Sequence, residues 1–240
     1  MTSTGDIPFD KLYGDGEKMG PLMPWNIGGP QPAVRALCDG GGFRGHVVDL
    51  GCGLGDNALY LASTGLQVTG IDVSHVAIDC ARDKAKRLGL EVDFQVADAF
   101  GLAEAGTTFD SILDSAFFHT LPKESVPEYS SLVRSISVVG AELQLFTFSE
   151  EMTPDFPGPR RVSATELRTA FSADWIINTI SSAQYSSSLP AEAVSQMVDP
   201  RTFELDAPTK NLSGVSIDAT GCVVSSIWHM HATRGPAPTS

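Results

Sequence analysis

Short apolar runs alternate with longer amphipathic segments through the first two thirds of the chain. The apolar runs have the length of buried strands, and we predict strands at 46–50, 67–72, 92–96, 109–113 and 142–148. The segments between them predict helices at 31–38, 56–63, 74–89 and 123–138. Strands that alternate with helices predict an α/β fold, in which a mostly parallel sheet is covered on both faces.

The last third of the chain has a different pattern. Residues 151–161 are rich in proline and predict a loop, and a capping-box sequence begins a predicted helix over 163–171. Two segments that alternate apolar and polar residues, 175–183 and 223–231, predict a final antiparallel strand pair. The long insert between them, 186–218, is expected to form a lid or a binding loop.

We interpret the 240 residues as one domain, because their number suits a single hydrophobic core. An N-terminal arm and cap, rich in glycine and proline, is expected over 1–40. A cofactor-binding core is expected over 41–150, because the alternation of strands and helices lies there.

Composition excludes several functions. The 16 basic and 29 acidic residues give a net charge of −13, which disfavours nucleic-acid binding because that depends on Lys and Arg at phosphates. No apolar run is long enough for a membrane span, and the N-terminus has no signal-peptide pattern. The four cysteines are scattered without a C-x-x-C pair, which favours reduced thiols in the cytoplasm over disulfides or zinc.

The strongest chemical signal is a glycine-rich turn over residues 47–57, between the first strand and the next helix. Glycine lets a backbone approach a ligand closely, and ligands of such sheets bind at the carboxyl ends of strands. A dinucleotide fingerprint, G-x-G-x-x-G, fits Gly51 and Gly53 but has Asp56 at the third glycine position, where a carboxylate repels a pyrophosphate. S-adenosylmethionine has a sulfonium, an ammonium and no phosphate, so a loop that also contains Asp49 suits it better.

Acidic residues also follow the next three strands. Asp72 ends the second strand 21 residues after Gly51, close to the spacing at which nucleotide folds place a carboxylate on the ribose hydroxyls. Asp98 follows the third strand and is expected to accept from the adenine amino group. Asp114 ends the fourth strand, beside the expected point of transfer.

In this order of motifs the chain resembles the class I S-adenosylmethionine-dependent methyltransferases, over 46–148 in motif and over its whole length in layout. The resemblance implies a Rossmann-like, doubly wound, seven-stranded sheet with a C-terminal antiparallel hairpin. It implies S-adenosylmethionine as cofactor and S-adenosylhomocysteine as its product. The residues that the matching motifs imply at the cofactor are Gly51, Gly53 and Asp49 for the methionine, Asp72 for the ribose, Val73, Asp98 and Ala99 for the adenine, and the Asp114 backbone for the amino group.

The acceptor is expected to be a small molecule. Amino methyltransferases of nucleic acids have an Asn- or Asp-Pro-Pro-aromatic tetrad after the fourth strand, whereas residues 114–117 read Asp-Ser-Ala-Phe. Residues 24–32 resemble a motif of the thiopurine and halide/thiol branch, with Asn26 where that branch usually has Asp. Within this motif Trp25 is expected against the sulfonium, since an aromatic face attracts a cation.

The arm, the Trp25 motif and the late insert together look like a narrower group, described as heterocyclic toxin or benzoquinone methyltransferases. This resemblance implies detoxifying O-methylation of hydroxyquinolone-like, phenolic or quinol compounds. Methylation of a thiol, thiopurine or halide is the alternative. A non-catalytic cofactor-binding regulator and an NAD-dependent oxidoreductase are weaker alternatives.

Aromatic side chains near the expected pocket are candidates for stacking on a flat acceptor. These are Phe9, Tyr13, Phe117, Phe118 and Tyr185. His119 is a candidate general base because imidazole accepts protons near neutral pH, although a structural histidine satisfied by the backbone is equally compatible. His229 and His231 share a strand face, but no Cys/His/Asp cluster accompanies them, so no metal is predicted.

Overall fold

The computed structural model describes residues 10, 13, 23–152, 160–192 and 215–236. Phe9 and residues 193–214 of the expected insert lie outside the described residues. Helices within the described ranges are too short or too polar to cross a membrane.

Eight strands form one sheet in the order β3-β2-β1-β4-β5-β8-β6, and β7 pairs with β8. Their bounds are β1 His46–Leu50, β2 Gln67–Asp72, β3 Asp93–Val96, β4 Phe109–Ser115, β5 Ser137–Phe148, β6 Trp175–Pro190, β7 Val215–Ile217 and β8 Cys222–Arg234. The first five strands are parallel, whereas β8 runs antiparallel to β5 and to β6. The predicted α/β sheet and its antiparallel hairpin are confirmed, but the expected count of seven strands omits β7.

The helices lie between the strands along the chain. Their bounds are α1 Pro32–Asp39, α2 Asp56–Ser63, α3 His75–Leu88, α4 Leu102–Ala105, α5 Val126–Ser135 and α6 Ala164–Phe171. Local signals set several of these bounds. Ser74 begins α3 by accepting from the Ala77 amide, and Gly89 ends it in the left-handed conformation. Ser163 begins α6 by accepting from the Glu166 amide.

One predicted helix is wrong. The sequence predicts one helix over 123–138, but the segment forms a 3₁₀ turn, Lys123–Ser125, and then α5, which ends at Ser135. The chain enters β5 immediately afterwards, because Ser137 pairs with Phe109 of β4. Gly140 therefore lies inside β5, at a bulge where its φ of 82° is tolerated, and does not separate helix from strand.

Part of the expected insert belongs to the sheet. Strand β6 continues to Pro190, and β7 contributes three further residues that pair with β8. The buried Gln31 side chain binds the extended part of β6: its Nε2 donates to the Ser186 carbonyl at 3.0 Å, and its Oε1 accepts from the Ser186 amide at 3.0 Å. The Ser188 amide also donates to the Pro24 carbonyl at 2.8 Å. These bonds attach the N-terminal arm to the carboxyl-terminal part of β6.

Candidate active site

Three buried carboxylates meet at the carboxyl ends of β1, β2 and β4. Asp49, Asp72 and Asp114 are 1%, 8% and 0% exposed. The parallel register places Leu50 beside Asp114, so the carboxylates of β1 and β4 lie on neighbouring strand ends. Their mutual repulsion helps raise the pKa of Asp49, after the larger effect of burial. The sequence therefore concentrates buried carboxyl groups at the strand ends.

The glycine-rich turn lets two aromatic side chains approach its backbone. Gly51 and Gly53 have φ values of 67° and 52°. A Cβ at Gly51 would lie 2.8 Å from the Phe117 ring, and a Cβ at Gly53 would lie 2.8 Å from the Tyr13 hydroxyl oxygen. Both positions require glycine for backbone conformation and for space.

Asp72 holds this turn from the neighbouring strand. Its Oδ2 accepts from the Gly53 amide at 2.9 Å, and its Oδ1 accepts from the Ser74 amide at 2.9 Å. Burial raises the pKa of Asp72, although these two amides favour its ionised form. Each carboxylate oxygen has a second lone pair, so Asp72 retains the capacity to accept from the hydroxyls of a ligand.

The site fits a cationic cofactor. The Oδ2 atom of Asp49 is buried and, within the described residues, has no hydrogen-bond partner. A buried carboxylate oxygen without a partner is unfavourable, and a nearby cation offsets that cost. The sulfonium and ammonium of S-adenosylmethionine supply such charge, whereas a pyrophosphate would add repulsion.

Asp114 supports the turn that follows β4. Its Oδ1 accepts from the amides of Phe117 and Phe118 at 2.9 and 3.1 Å, and its Oδ2 accepts from the Tyr129 hydroxyl at 2.5 Å. Burial raises the pKa of Asp114 to about 6. Ala116, inside this turn, is the described non-glycine residue with a positive φ, 76°. The bonds to Asp114 hold this strained conformation and direct Phe117 toward Gly51.

The adenine-side candidates lie at the ends of β2 and β3. Val73 is partly buried directly after Asp72, and Ala99 is buried. Asp98 Oδ1 accepts from the Phe100 amide at 3.1 Å and so begins a short 3₁₀ turn. The Ala97 amide donates to the Asp72 carbonyl at 3.0 Å, which keeps this turn beside β2.

Aromatic side chains of the arm and of β6 lie beside the carboxylates. Tyr13 and Trp25 are in edge contact with centroids 6.3 Å apart, and the Trp25 Nε1 is buried without a partner among the described residues. Burial raises the pKa of Tyr13, and it raises the pKa of Tyr185 to about 12, with Asp49 and Asp114 adding to the second shift. The expected grouping of Tyr13, Trp25 and Tyr185 near the turn is thus present.

Phe118 lies elsewhere. It is fully buried, and its ring packs against Tyr129 and Phe171 with centroids 5.2 and 5.9 Å away. Successive residues of the 3₁₀ turn point in different directions, so Phe117 reaches the glycine loop while Phe118 enters the core. The expectation that Phe118 stacks on an acceptor is therefore wrong, and Phe118 is a residue of the hydrophobic core.

His119 is unsuited to act as the general base. It is buried, its Nδ1 accepts from the Phe148 amide at 3.2 Å, and its ring stacks on Phe148 at 4.2 Å. Burial, followed by the charges of Arg160 and Arg161, lowers the pKa of His119 to about 3. The imidazole is therefore neutral at working pH, and the backbone-satisfied alternative agrees with the structure.

We expect His119→Asn to leave the pH dependence of methyl transfer between pH 6 and 8 unchanged, because the ring does not titrate there. Asparagine Oδ1 retains an acceptor for the Phe148 amide, so turnover should fall by less than about tenfold. Loss of a general base would instead cost about 10²–10⁴-fold. The measurement is kcat/KM against pH, with the exposed His75→Asn as control. A lost ionisation limb would contradict this prediction.

The two strand histidines bind polar partners on β5. His229 Nε2 lies 2.8 Å from Gln144 Oε1, and His231 Nε2 lies 2.7 Å from Glu142 Oε2. Across the described part of the chain, His, Cys, Asp and Glu form no group of three or more that could hold a metal ion.

Three features of the site escaped the sequence interpretation. Tyr129 binds Asp114 across 15 positions, and Gln31 binds Ser186 across 155, so neither pair leaves a local pattern. Arg160 and Arg161 fall in the proline-rich segment that was interpreted only as loop. The only sign of these two arginines in the sequence is that two cationic residues stand next to each other.

Known proteins share this architecture. A model described as "Methyltransferase domain" matches residues 47–137. The 2-heptyl-1-hydroxyquinolin-4(1H)-one methyltransferase of Mycobacteroides abscessus is 36% identical over 188 residues, which cover 77% of this chain and 83% of that protein.

Two solved structures extend the comparison. One, described as conversion of a disulfide bond into a thioacetal group during echinomycin biosynthesis, has a TM-score of 0.76 and 29% identity, covering 98% of this chain and 93% of the other. The 1,6-didemethyltoxoflavin-N1-methyltransferase of Burkholderia thailandensis, with bound S-adenosylhomocysteine, has a TM-score of 0.63 and 18% identity, covering 95% and 86%. At this low identity, the second structure shows only that the two proteins share a fold. With the acidic glycine-rich site and the first relative, these findings place the chain in the S-adenosylmethionine-dependent methyltransferase family.

Proposed function

We propose that this methyltransferase transfers the methyl group of S-adenosylmethionine to a hydroxyl group of a small aromatic or heterocyclic compound, of the hydroxyquinolone or phenol class. The observation that carries the proposal is the relative at 36% identity, which covers most of both chains and is named for a hydroxyquinolone. Three aromatic side chains lie near the glycine loop: Tyr13, Phe117 and Tyr185. A flat acceptor can stack on their rings.

The chain's own residues act mainly by positioning. When bound, S-adenosylmethionine supplies an electrophilic methyl group. Asp72 holds the Gly53 amide and is placed to accept from the ribose. Asp49 presents a buried carboxyl oxygen, without a partner among the described residues, to the cationic part, and Asp114 holds the turn after β4. The buried Tyr13 and the half-buried Trp25 of the arm shield this end of the sheet from water. Orientation and proximity of this kind supply about 7–11 kcal/mol of rate acceleration.

A sulfur acceptor is the second candidate. The solved structure with 29% identity concerns conversion of a disulfide to a thioacetal, which is chemistry at sulfur. Thiolates need no general base at neutral pH, in agreement with a neutral, buried His119. Four free cysteines support action in a reducing compartment such as the cytoplasm.

The test is transfer of labelled methyl from S-adenosylmethionine to a matched panel: a 1-hydroxyquinolin-4-one, phenols and hydroquinones, alkyl and aryl thiols, a thiopurine and iodide. We expect the hydroxylated heteroaromatic to have the highest kcat/KM. Preferential labelling of thiols would replace the proposal with the sulfur alternative. Cofactor binding without transfer to any acceptor would overturn both.

A further inference from the structure

Two adjacent arginines lie at the carboxyl end of β5. The segment that contains them runs beside the strand end, because the Val162 amide donates to the Phe148 carbonyl at 2.9 Å and the Glu150 amide donates to the Val162 carbonyl at 3.1 Å. Arg160 and Arg161 are both partly exposed. They therefore stand at the same edge of the sheet as the glycine loop and the turn after β4.

Each guanidinium lies over an aromatic ring that borders this edge. The Arg160 Cζ is 5.1 Å from the centroid of Phe118, and the Arg161 Cζ is 5.3 Å from that of Phe148. His119 stacks on Phe148 and experiences the positive charge of both arginines. Phe148 and Trp25 both pack against the apolar cluster that contains Tyr185. The two cations thus lie over rings at the end of β5, and the ring below Arg161 packs against the cluster that contains Tyr185.

Arg160 retains an unused donor. Its Nε donates to the Leu121 carbonyl at 2.8 Å, and its Nη1 pairs with Glu166. Its Nη2 is buried and has no acceptor within the described ranges. A buried guanidinium nitrogen strongly favours an anionic acceptor, which its planar donors bind with directional hydrogen bonds.

We propose that Arg160 and Arg161 form the acceptor-binding side of the active site and select the acceptor in its anionic form, as a phenolate, a deprotonated N-hydroxyl or a thiolate. The inference rests on the proposed methyl transfer and names the ionisation state of its substrate. Arg160 Nη2 supplies a donor to the anionic atom, and Arg161 supplies positive charge from above Phe148.

This assignment accounts for an acceptor that does not depend on His119 as general base. The acceptor loses its proton to water before or during binding, because two cations stabilise its anion. Its oxygen or sulfur lone pair then forms the bond to the methyl carbon as the bond from carbon to sulfur breaks. The pair of electrons in the broken bond stays on the cofactor sulfur, so a cation and an anion become two neutral products.

The test is an optical titration of 4-nitrophenol, whose phenol and phenolate absorb at different wavelengths, bound to protein saturated with S-adenosylhomocysteine. At a pH near the pKa of the free phenol, we expect the ratio of phenolate to phenol to be at least about tenfold higher on the wild-type protein than in solution. Arg161→Gln should lose most of this enrichment, and Arg161→Lys should recover part of it. Arg35→Gln is the matched control, because Arg35 also lies over a ring, that of Tyr60, at 5.3 Å.

Two outcomes would overturn the inference: wild-type protein that binds no nitrophenol or binds it without enrichment of the phenolate, and an Arg161→Gln protein that matches wild type. Arg160→Lys gives a second check that keeps the charge near Glu166 while removing the planar Nη2 donor. The titration involves no methyl transfer, so its failure is distinct from failure of the proposed function. Thermal unfolding of each variant confirms that lost enrichment is not lost folding.

Discussion

Asp72→Asn is expected to weaken binding of S-adenosylmethionine by about 100-fold or more. Asparagine has one oxygen, so either the Gly53 or the Ser74 amide will face an amide donor where Asp72 now accepts from both at 2.9 Å. Hydrogen bonds to a charged partner contribute about 1.5–3 kcal/mol each, and a buried donor left unsatisfied costs about 1–3 kcal/mol. Loss of the carboxylate also removes an acceptor for the ribose and negative charge near the cofactor cation.

The measurement for Asp72→Asn is calorimetric titration with S-adenosylmethionine and with S-adenosylhomocysteine. Asp79→Asn is the control, because Asp79 is exposed on α3, where its carboxylate pairs with Arg82 at 3.4 Å. We expect the affinity of Asp79→Asn to match that of wild type. Equal affinities of Asp72→Asn and wild type would refute the role assigned to Asp72.

Asp114→Ala should lower the free energy of unfolding by about 3 kcal/mol or more. The substitution leaves the Phe117 amide, the Phe118 amide and the Tyr129 hydroxyl without an acceptor, and each unsatisfied donor costs about 1–3 kcal/mol. Asp114→Asn should be tolerated. Its amide oxygen still accepts from the two backbone amides, and its amide nitrogen donates to the Tyr129 oxygen after the hydroxyl rotates. Denaturant unfolding of the two variants distinguishes these outcomes.

The wild type and Asp114→Asn should also differ in how their stability depends on pH, in a defined direction. The folded pKa of Asp114 is about 6, above its ordinary value of 3.8, so the folded state retains a proton that the unfolded state has lost. Stability of the wild type therefore falls as pH rises from about 4 to about 6, relative to Asp114→Asn, which has no such proton. The difference should reach about 3 kcal/mol and stay level above pH 6. A constant difference across this range would show that the carboxyl is not buried as described.

The fold was predictable where local signals agree with tertiary pairing. The glycine turn after β1, the Ser74 cap and the Gly89 terminus all lie within a few residues of the structure they specify. The segment around Gly140 was not predictable in this way, because pairing of Ser137 with Phe109 of β4 extends the strand through the glycine. Pairing with a distant strand overrides a local helix-and-break pattern.

In the candidate site, too, the features set by local sequence were predictable and those set by distant contacts were not. Strand-end carboxylates could be located from spacing, since each follows its own strand. The direction of a side chain in a 3₁₀ turn could not be predicted from spacing. Phe118 enters the core, whereas the neighbouring Phe117 lies beside Gly51. The ionisation of His119 also depends on burial and on Arg160 and Arg161, which lie about forty positions away in the chain.

The bond between Gln31 and Ser186 has a consequence for synthesis on the ribosome. These residues are 155 positions apart, so the arm lacks its partner on β6 until that strand has left the exit tunnel, although it also contacts Asn57 and Ala77 of earlier helices. Contacts between such distant segments form late in folding, because the entropy of closing the long intervening loop must be overcome first. Strands β1 to β4 are synthesised earlier and can pair before the bonds between the arm and β6 form. Chains truncated before β6 therefore lack the bonds from Ser186 to Gln31 and from Ser188 to Pro24, which fix the two sides of Trp25 in the arm.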